Sequence, residues 1–272
     1  MNSNSFEGYK IKKGHCNEIE DYDPNDTRYF PDGKEEGLIK LDEINEELCN
    51  LQQMLYAEHK HKVAIIFQAM DGGGKDGTIN KGLKGFNVQG TRVVSIKKPT
   101  QEELDHDYLW RIHKQMPAKG EIVIFNRSHY EDVLVVRVNS LVPKEVWKKR
   151  YQHINDFERM LTDEGTTLLK IILNISKDEQ KATLEERLKT PTKNWKYNDQ
   201  DIEQRKLWDE YMVAMQDMII QTSTDYAPWY IIPANKNWYR NLAVASITAD
   251  TLKNLNMKYP LIKEEMKGIT IP

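Results

Sequence analysis

The chain has 272 residues, 39% of them hydrophobic, and a net charge of −3 at pH 7. That length and apolar content suffice for a full core, and the near-neutral balance gives no case for generic nucleic-acid binding. No apolar run approaches the roughly 20 residues of a membrane span, and Met1-Asn2-Ser3-Asn4-Ser5 lacks a signal-peptide pattern, so no membrane association and a cytoplasmic location are expected. Cys16 and Cys49 are too few and too far apart for a disulfide framework or a zinc pattern.

Residues 1–35 are polar, with turn signals at Asp21-Tyr22-Asp23-Pro24-Asn25-Asp26 and Pro31-Asp32-Gly33, and predict an arm lying over the domain. Leu38, Leu41, Ile44, Leu48, Leu51 and Leu55 then recur at three- and four-residue spacing. They predict a long helix with one apolar stripe, packed on the sheet or on a partner subunit, and with it a homo-oligomer. His59 and His61 precede the first strand, and His106 and His113 fall seven apart on a predicted helix; solvated or core-edge histidines are the default for all four.

Short apolar or β-branched runs at 63–68, 92–96, 121–125, 168–173 and 229–232 predict strands, separated by segments of helical periodicity. Such alternation implies a parallel sheet covered on both faces. Leu104, Tyr108, Leu109, Ile112 and Met116 mark one intervening helix. Val146, Trp147, Tyr151, Ile154, Phe157 and Leu161 mark a second, and Leu207, Trp208, Tyr211, Met215, Met218 and Ile219 a third. The segment 177–206 has few large apolar residues, a break at Pro191 and many charges, so it should project from the sheet as a helical hairpin. Lys181, Arg187, Lys189, Lys193, Lys196 and Arg205 accumulate there, interleaved with Glu185, Glu186, Asp199 and Asp201. Charge alone leaves open whether it grips a polyanion or is a salt-bridged, solvated helix.

The first strand runs into Asp71-Gly72-Gly73-Gly74-Lys75-Asp76-Gly77-Thr78. Successive glycines let backbone N–H groups converge on an anion, the following helix adds its positive end, and Lys75 supplies a mobile charge. Gly72, Gly73, Gly74, Lys75, Asp76, Gly77 and Thr78 therefore form a candidate phosphate cradle. Compared with G-x-x-x-x-G-K-[ST], Ala69 replaces the first glycine and Asp76 replaces the hydroxyl residue that ordinarily holds Mg²⁺. A metal then needs another hard oxygen, and Asp71 is the nearest.

A second polar cluster, Asn126-Arg127-Ser128-His129-Tyr130-Glu131-Asp132, follows the strand Ile122-Val123-Ile124-Phe125, at the strand end where α/β sheets place ligands. Asn126 stands where an aspartate usually approaches the metal, Arg127 can fork onto phosphate oxygens, and Glu131 can supply the missing carboxylate. Arg111, Arg137 and Lys98, near other predicted element ends, are candidates to hold nucleotide phosphates.

These motifs resemble the polyphosphate kinase 2 family. The likeness spans about Tyr9 to Lys253 and rests on Gln68–Thr78, Lys98-Pro99-Thr100 with Leu109–His113, Phe125–Leu134, Ile175–Gln180, Arg187-Leu188-Lys189, Lys193-Asn194-Trp195-Lys196 and Pro228–Ala234. It implies a single α/β domain, a three-layer P-loop kinase-like sandwich with a central parallel sheet and a lid at 177–206. Asp71 and Lys75 would belong to the Walker A loop, Asn126, Arg127 and Glu131 to the Walker B region, and Arg187 to the lid. Asn126 with His129 and Glu131 looks like the class that accepts both nucleoside mono- and diphosphates, while Thr183-Leu184 replaces a more usual Arg-Phe.

The resemblance thus implies transfer of phosphoryl groups from inorganic polyphosphate to AMP and ADP, giving ADP and ATP, with guanine nucleotides as further candidate acceptors. Asp71, Lys75, Arg127 and Glu131 would act at the reacting phosphate, with Mg²⁺ (or Mn²⁺) held by Asp71 and Glu131. Lys98, Arg111, Asn126 and Arg137 would hold the nucleotide, and Arg187, Lys189, Lys193, Lys196 and Arg205 the polyphosphate. The alternative is an ATP-dependent nucleoside monophosphate kinase on the same scaffold. A guanine-nucleotide switch is disfavoured, because Asn235-Lys236-Asn237-Trp238 lacks the aspartate of a base-recognition element.

Overall fold

A computed structural model describes residues 6–15 and 17–262. Five parallel strands form one sheet in the order β2-β3-β1-β4-β5: β1 is Lys62–Gln68, β2 Thr91–Ser95, β3 Ile122–Asn126, β4 Thr166–Asn174 and β5 Trp229–Pro233. The longer helices are α1 (Lys34–Glu58), α2 (Lys75–Gly82), α6 (Lys144–Asp163), α7 (Lys177–Lys189), α8 (Asp199–Lys206), α9 (Trp208–Thr222) and α10 (Asn237–Lys253). Single turns α3 (Gln101–Leu104), α4 (Trp110–His113) and α5 (Val135–Val138) complete the set.

The chain steps from β1 outward to β2, then returns across the sheet to β3, β4 and β5. With right-handed crossovers, steps in opposite directions place their helices on opposite faces. Accordingly α1 and α2 pack on α10 along one face, and α6 packs with α9 against the other. Val63–Phe67 and Ile122–Phe125 are almost wholly buried between these layers, as continuous apolar runs in a doubly covered sheet should be. All five strand expectations agree with the structure to within two residues at either end.

Two expectations change. The residues from Leu104 to Met116 do not form one helix: Asp107 accepts from the N–H groups of Leu109 (2.9 Å) and Trp110 (3.1 Å), offering the backbone a turn instead. Leu104 is consequently exposed while Ile112 is buried, and His106 stacks on Trp110 rather than sharing a helix face with His113. Most of the stripe on α1 is covered within the chain, since Leu41, Ile44, Leu48 and Leu55 are buried on the helix that packs against α10, while Leu38 stays exposed. Its buried part therefore packs within the chain rather than on a partner.

The N-terminal arm contributes more core than its polarity suggested. Phe6, Tyr9, Ile11, Ile19 and Phe30 are buried, the Ile11 N–H donates to Trp229 O at 2.8 Å, and Lys10 pairs antiparallel with Tyr230. The arm thereby covers β5, which would otherwise be an open sheet edge. Segment 177–206 folds as the expected hairpin: α7, capped by Ser176, then a 3-10 turn at Pro191–Lys196, then α8. No helix among the described residues is long and apolar enough to cross a membrane.

Candidate active site

Strands β1 and β3 are neighbours, with Phe67 level with Asn126, so the loops that follow them lie side by side at the C-terminal sheet edge. Their onward connections go to opposite faces, which opens a crevice between them. In the first loop Gly72 (φ +81°) and Gly74 (φ +84°) adopt left-handed backbone that only glycine enters cheaply. A Cβ at Gly73 would stand 2.7 Å from Ala69 Cβ, so the turn closes only without one. The turn leads into α2, whose first residue is Lys75.

Lys75 is 8% exposed, and its ammonium donates to Ala69 O at 2.8 Å and Met70 O at 3.5 Å. Among the described residues no carboxylate pairs with it. Burial pulls its pKa below the ordinary lysine range, with the nearby Asp71 charge offsetting part of the effect. Burial pushes the Asp71 carboxyl up, but Lys75 and Arg127 outweigh that and hold it below its usual range. Glu131 goes the other way: burial raises it, and Arg127 and Lys75 only partly compensate.

Arg127, the first residue after β3, has φ +66°, a left-handed conformation that is uncommon for a long side chain and clusters at functional sites. Its guanidinium pairs with Asp71, joining the two loops. Asn126 Nδ2 donates to Asp76 Oδ1 at 2.7 Å, and Lys196 of the lid approaches the other oxygen of Asp76 at 3.6 Å. Gln68, fully buried at the end of β1, donates to Glu131 Oε1 at 2.9 Å in the amide orientation that satisfies both its atoms, and accepts from Ser128 Oγ at 3.1 Å.

Asp71, Lys75, Asp76, Asn126 and Arg127 face a cleft of about 420 Å³, whose far wall is the 177–206 hairpin: Thr183, Arg187, Lys193, Trp195, Lys196 and Asp201. Arg187 is held by Asp201 at 2.6 Å, and Lys193 by Glu186 at 2.6 Å. Gln180 Nε2 donates to Asp71 O at 2.8 Å, fixing the root of α7 to the glycine loop.

The other expected residues are dispersed. Lys189 pairs with Glu185 (3.3 Å) away from the cleft, and Arg205 braces the lid root through Lys177 O (2.6 Å) and Gln180 Oε1 (2.8 Å). Lys98 is exposed beyond β2. Arg111 is buried, donating to Lys97 O at 2.8 Å and facing Asp132 at 3.5 Å. Arg137 pairs with Asp217 at 2.7 Å over the Trp147 ring, in a separate groove of about 900 Å³ that Leu141 and Val213 also line. Of the four expected nucleotide contacts, only Asn126 lines the glycine-loop cleft.

The family model of polyphosphate kinase 2 (PPK2) matches residues 32–260. The chain belongs to the polyphosphate kinase 2 family. It is 56% identical over 263 residues to the AMP/ADP-polyphosphate phosphotransferase of Meiothermus ruber, covering 97% of this chain and 98% of that protein. Identity to the ADP-polyphosphate phosphotransferase of Rhodopseudomonas palustris is 44%, over 79% of this chain and 78% of the relative. The crystal structure of polyphosphate kinase 2 from Arthrobacter aurescens TC1 superposes with a TM-score of 0.91 at 40% identity, covering 95% of this chain and 92% of the other.

The metal such phosphotransfer implies can be tested against the donors present. Among the described residues no group of three or more His, Cys, Asp or Glu is arranged to hold an ion. Asp71 and Glu131 do line one small cavity of about 30 Å³, with Arg127 beside them. Two carboxylates suit Mg²⁺, which keeps several waters and takes its remaining ligands from phosphates, so the residues of this PPK2 chain fit an ion that arrives with its substrate.

Gln68, Gln180, Trp195 and Asp201 were not singled out from sequence as site residues. Gln68 carried the clearest signal, an amide closing an apolar strand, whereas Gln180 and Asp201 are recognisable only once the lid folds back onto the glycine loop.

Proposed function

We propose that the chain transfers phosphoryl groups from inorganic polyphosphate to AMP and ADP, reversibly, giving ADP and ATP. One observation carries the reading: Lys75 is a buried cation with only carbonyl partners, at the floor of a cleft whose other wall is a lid with Arg187, Lys193 and Lys196. Asp71 offsets only part of the burial of Lys75 and makes no hydrogen bond to it, so a phosphate entering the cleft supplies the direct anionic partner that a buried charge favours.

Phosphoryl transfer asks the protein to align donor and acceptor, neutralise oxygens and exclude water. The glycine-loop N–H groups and Lys75 take the oxygens of the transferred phosphate, and Arg127 exchanges Asp71 for a bidentate grip on phosphate. Mg²⁺, or Mn²⁺, supplies charge neutralisation at the phosphate oxygens when bound, and Asp71 and Glu131 would hold it. Arg187, Lys193 and Lys196 follow the phosphate chain along the lid, while Lys189 and Arg205 act only through lid geometry. Asn126, being neutral, repels a second acceptor phosphate less than an aspartate would, which supports use of both AMP and ADP; Lys98, Arg111 and Arg137 serve the acceptor from the β2 side and the second groove.

GMP and GDP are further acceptors in this reading. The reaction is placed in the cytoplasm, where its nucleotides are available. Self-association remains part of the proposal, with the exposed Leu38 and Ile39 of α1 as its surface, and light scattering tests it.

The deciding experiment incubates the protein with Mg²⁺, polyphosphate and, separately, AMP, ADP, GMP or GDP, with ATP as a competing donor, and resolves products by chromatography. Phosphorylation of AMP from ATP but not from polyphosphate would assign a nucleoside monophosphate kinase instead. Conversion of ADP alone would retain the polyphosphate kinase and remove the dual acceptor.

A further inference from the structure

Behind the glycine loop, on the side away from the cleft, lies Arg240 of α10. It is 4% exposed, and its guanidinium has only amide partners: Nη1 donates to Asn237 Oδ1 at 2.7 Å and Nη2 to Asn241 Oδ1 at 3.3 Å. The buried Nε has no hydrogen-bond partner, and among the described residues no carboxylate pairs with the side chain. The group presses directly on the loop. A Cβ at Gly74 would overlap Arg240 Nη1 and stand 2.7 Å from Cζ, and one at Gly77 would stand 3.3 Å from Nη2. Burial pulls the guanidinium down to about 10, with the Glu179 charge pulling the other way.

We propose that Arg240 is a positioning residue that keeps a positive charge fixed behind the glycine loop, and so tightens the loop's hold on the phosphate in front of it. The inference rests on the phosphate-binding reading of that loop. Three facts combine. The charge is buried with no carboxylate paired to it among the described residues, an arrangement that costs the empty protein stability. Gly74 and Gly77, which line the cleft, also press bare backbone against the guanidinium, with no side chain to hold the charge away. The surroundings are poor in water, so charge acts over a longer reach than it would at the surface. A phosphate in the cleft compensates Arg240 from across the loop, as it compensates Lys75 from the front. Stability of the unliganded protein is exchanged for affinity toward phosphate.

The test compares Arg240→Met, of similar length but neutral, with Arg240→Lys, which keeps the charge and loses the fork. Three quantities are read: the thermal midpoint without ligand, the dissociation constant of tripolyphosphate by calorimetry, and KM and kcat with polyphosphate and ADP. Arg240→Met is expected to melt at or above the parent temperature while binding tripolyphosphate on the order of tenfold more weakly, the scale of a charge-assisted contact. KM for polyphosphate should rise in parallel with kcat less affected, and Arg240→Lys should recover most of the affinity. A lower midpoint for Arg240→Met, or its failure to fold while Arg240→Lys folds, would make Arg240 a structural strut and overturn the inference. Parent-like tripolyphosphate binding by Arg240→Met would overturn it too. Lys75→Ala in the same series separates the two levels: if it loses tripolyphosphate and Arg240→Met does not, the glycine-loop reading stands and only the role of Arg240 falls.

Discussion

Lys170, in the middle of β4, and Lys75, at the start of α2, are both buried, yet they are partnered in opposite ways. Lys170 donates to Glu158 Oε2 at 2.7 Å, Tyr130 OH at 2.9 Å and Thr222 O at 2.7 Å, which uses all three of its protons. The other oxygen of Glu158 accepts from Tyr130 OH at 2.6 Å and lies 3.2 Å from His129 Nε2. Lys75 meets two carbonyls and no carboxylate. A buried cation hydrogen-bonded to a carboxylate fixes structure, and one whose hydrogen bonds end on carbonyls, with Asp71 only partly offsetting its charge, is open to an anionic ligand. The two are coupled in space, because the Lys170 network anchors His129 and Tyr130, in the same loop that carries Arg127 and Glu131.

The largest expected effect belongs to the completed network. Lys170→Ala leaves the Glu158 carboxylate buried and unpaired, so unfolding in urea should show a loss of about 3–5 kcal/mol. Replacing both partners, Lys170→Met with Glu158→Leu, should recover part of that loss, since no uncompensated charge then remains. If the single variant is as stable as the parent, the contrast between the two lysines collapses from the structural side.

Lys75→Ala should do the reverse. Phosphoryl transfer is expected to fall on the order of a hundredfold or more, the scale of losing one preorganised charge contact in a dry site, with the thermal midpoint held. Near-normal turnover at normal stability would remove the glycine loop from the mechanism.

The same contrast governs what could be read from sequence. Strands were legible because apolar, β-branched runs bounded by turn residues have few other solutions, and the glycine loop was legible because strand, glycines, lysine and helix are contiguous. Lys170 left only a faint trace, one charge inside Leu168-Leu169-Lys170-Ile171-Ile172, and its partner Glu158 a second one, a carboxylate set within the apolar stripe of α6 between Ile154 and Leu161. Arg111 and Arg137 were legible as charges at element ends, but the burial of Arg111 beside Asp132 and the setting of Arg137 in a separate groove depend on crossing angles that local spacing does not encode. The break between α3 and α4 was hidden because Asp107 acts through two backbone hydrogen bonds, while the apolar residues around it still keep helical spacing. Arg240 gave no local sign, since the loop it supports is far away in sequence.

Lid substitutions should have an intermediate effect. Arg187→Ala, or Lys193→Ala together with Lys196→Ala, is expected to raise KM for polyphosphate more than KM for nucleotide. Raising salt on the parent protein should imitate the lysine pair, whose charges are partly solvated. Arg187 should weigh more than either lysine, because it is largely buried against Asp201 and its loss also leaves that carboxylate unpaired. Equal losses for both substrates would make the lid a solvated hairpin.

The smallest effect is expected at Asn126, and it bears on which acceptor is used. Its amide donates to Asp76 Oδ1, and Asp76 also faces Lys196, so the position sits in a charged setting while contributing no charge. Asn126→Asp adds a carboxylate beside Asp76 and removes the donor, placing a second negative charge where acceptor phosphates approach. ADP brings one phosphate more than AMP and is repelled more. The ratio of ADP use to AMP use should therefore fall by ~threefold, the size expected of one screened charge pair. Measuring initial rates with each acceptor at matched Mg²⁺ and polyphosphate checks this, and Glu131→Ala provides the control, since loss of a shared carboxylate should depress both rates together. An unchanged ratio in Asn126→Asp, or a shift toward ADP, would mean that acceptor choice is set elsewhere, with the groove around Arg137 the next place to look.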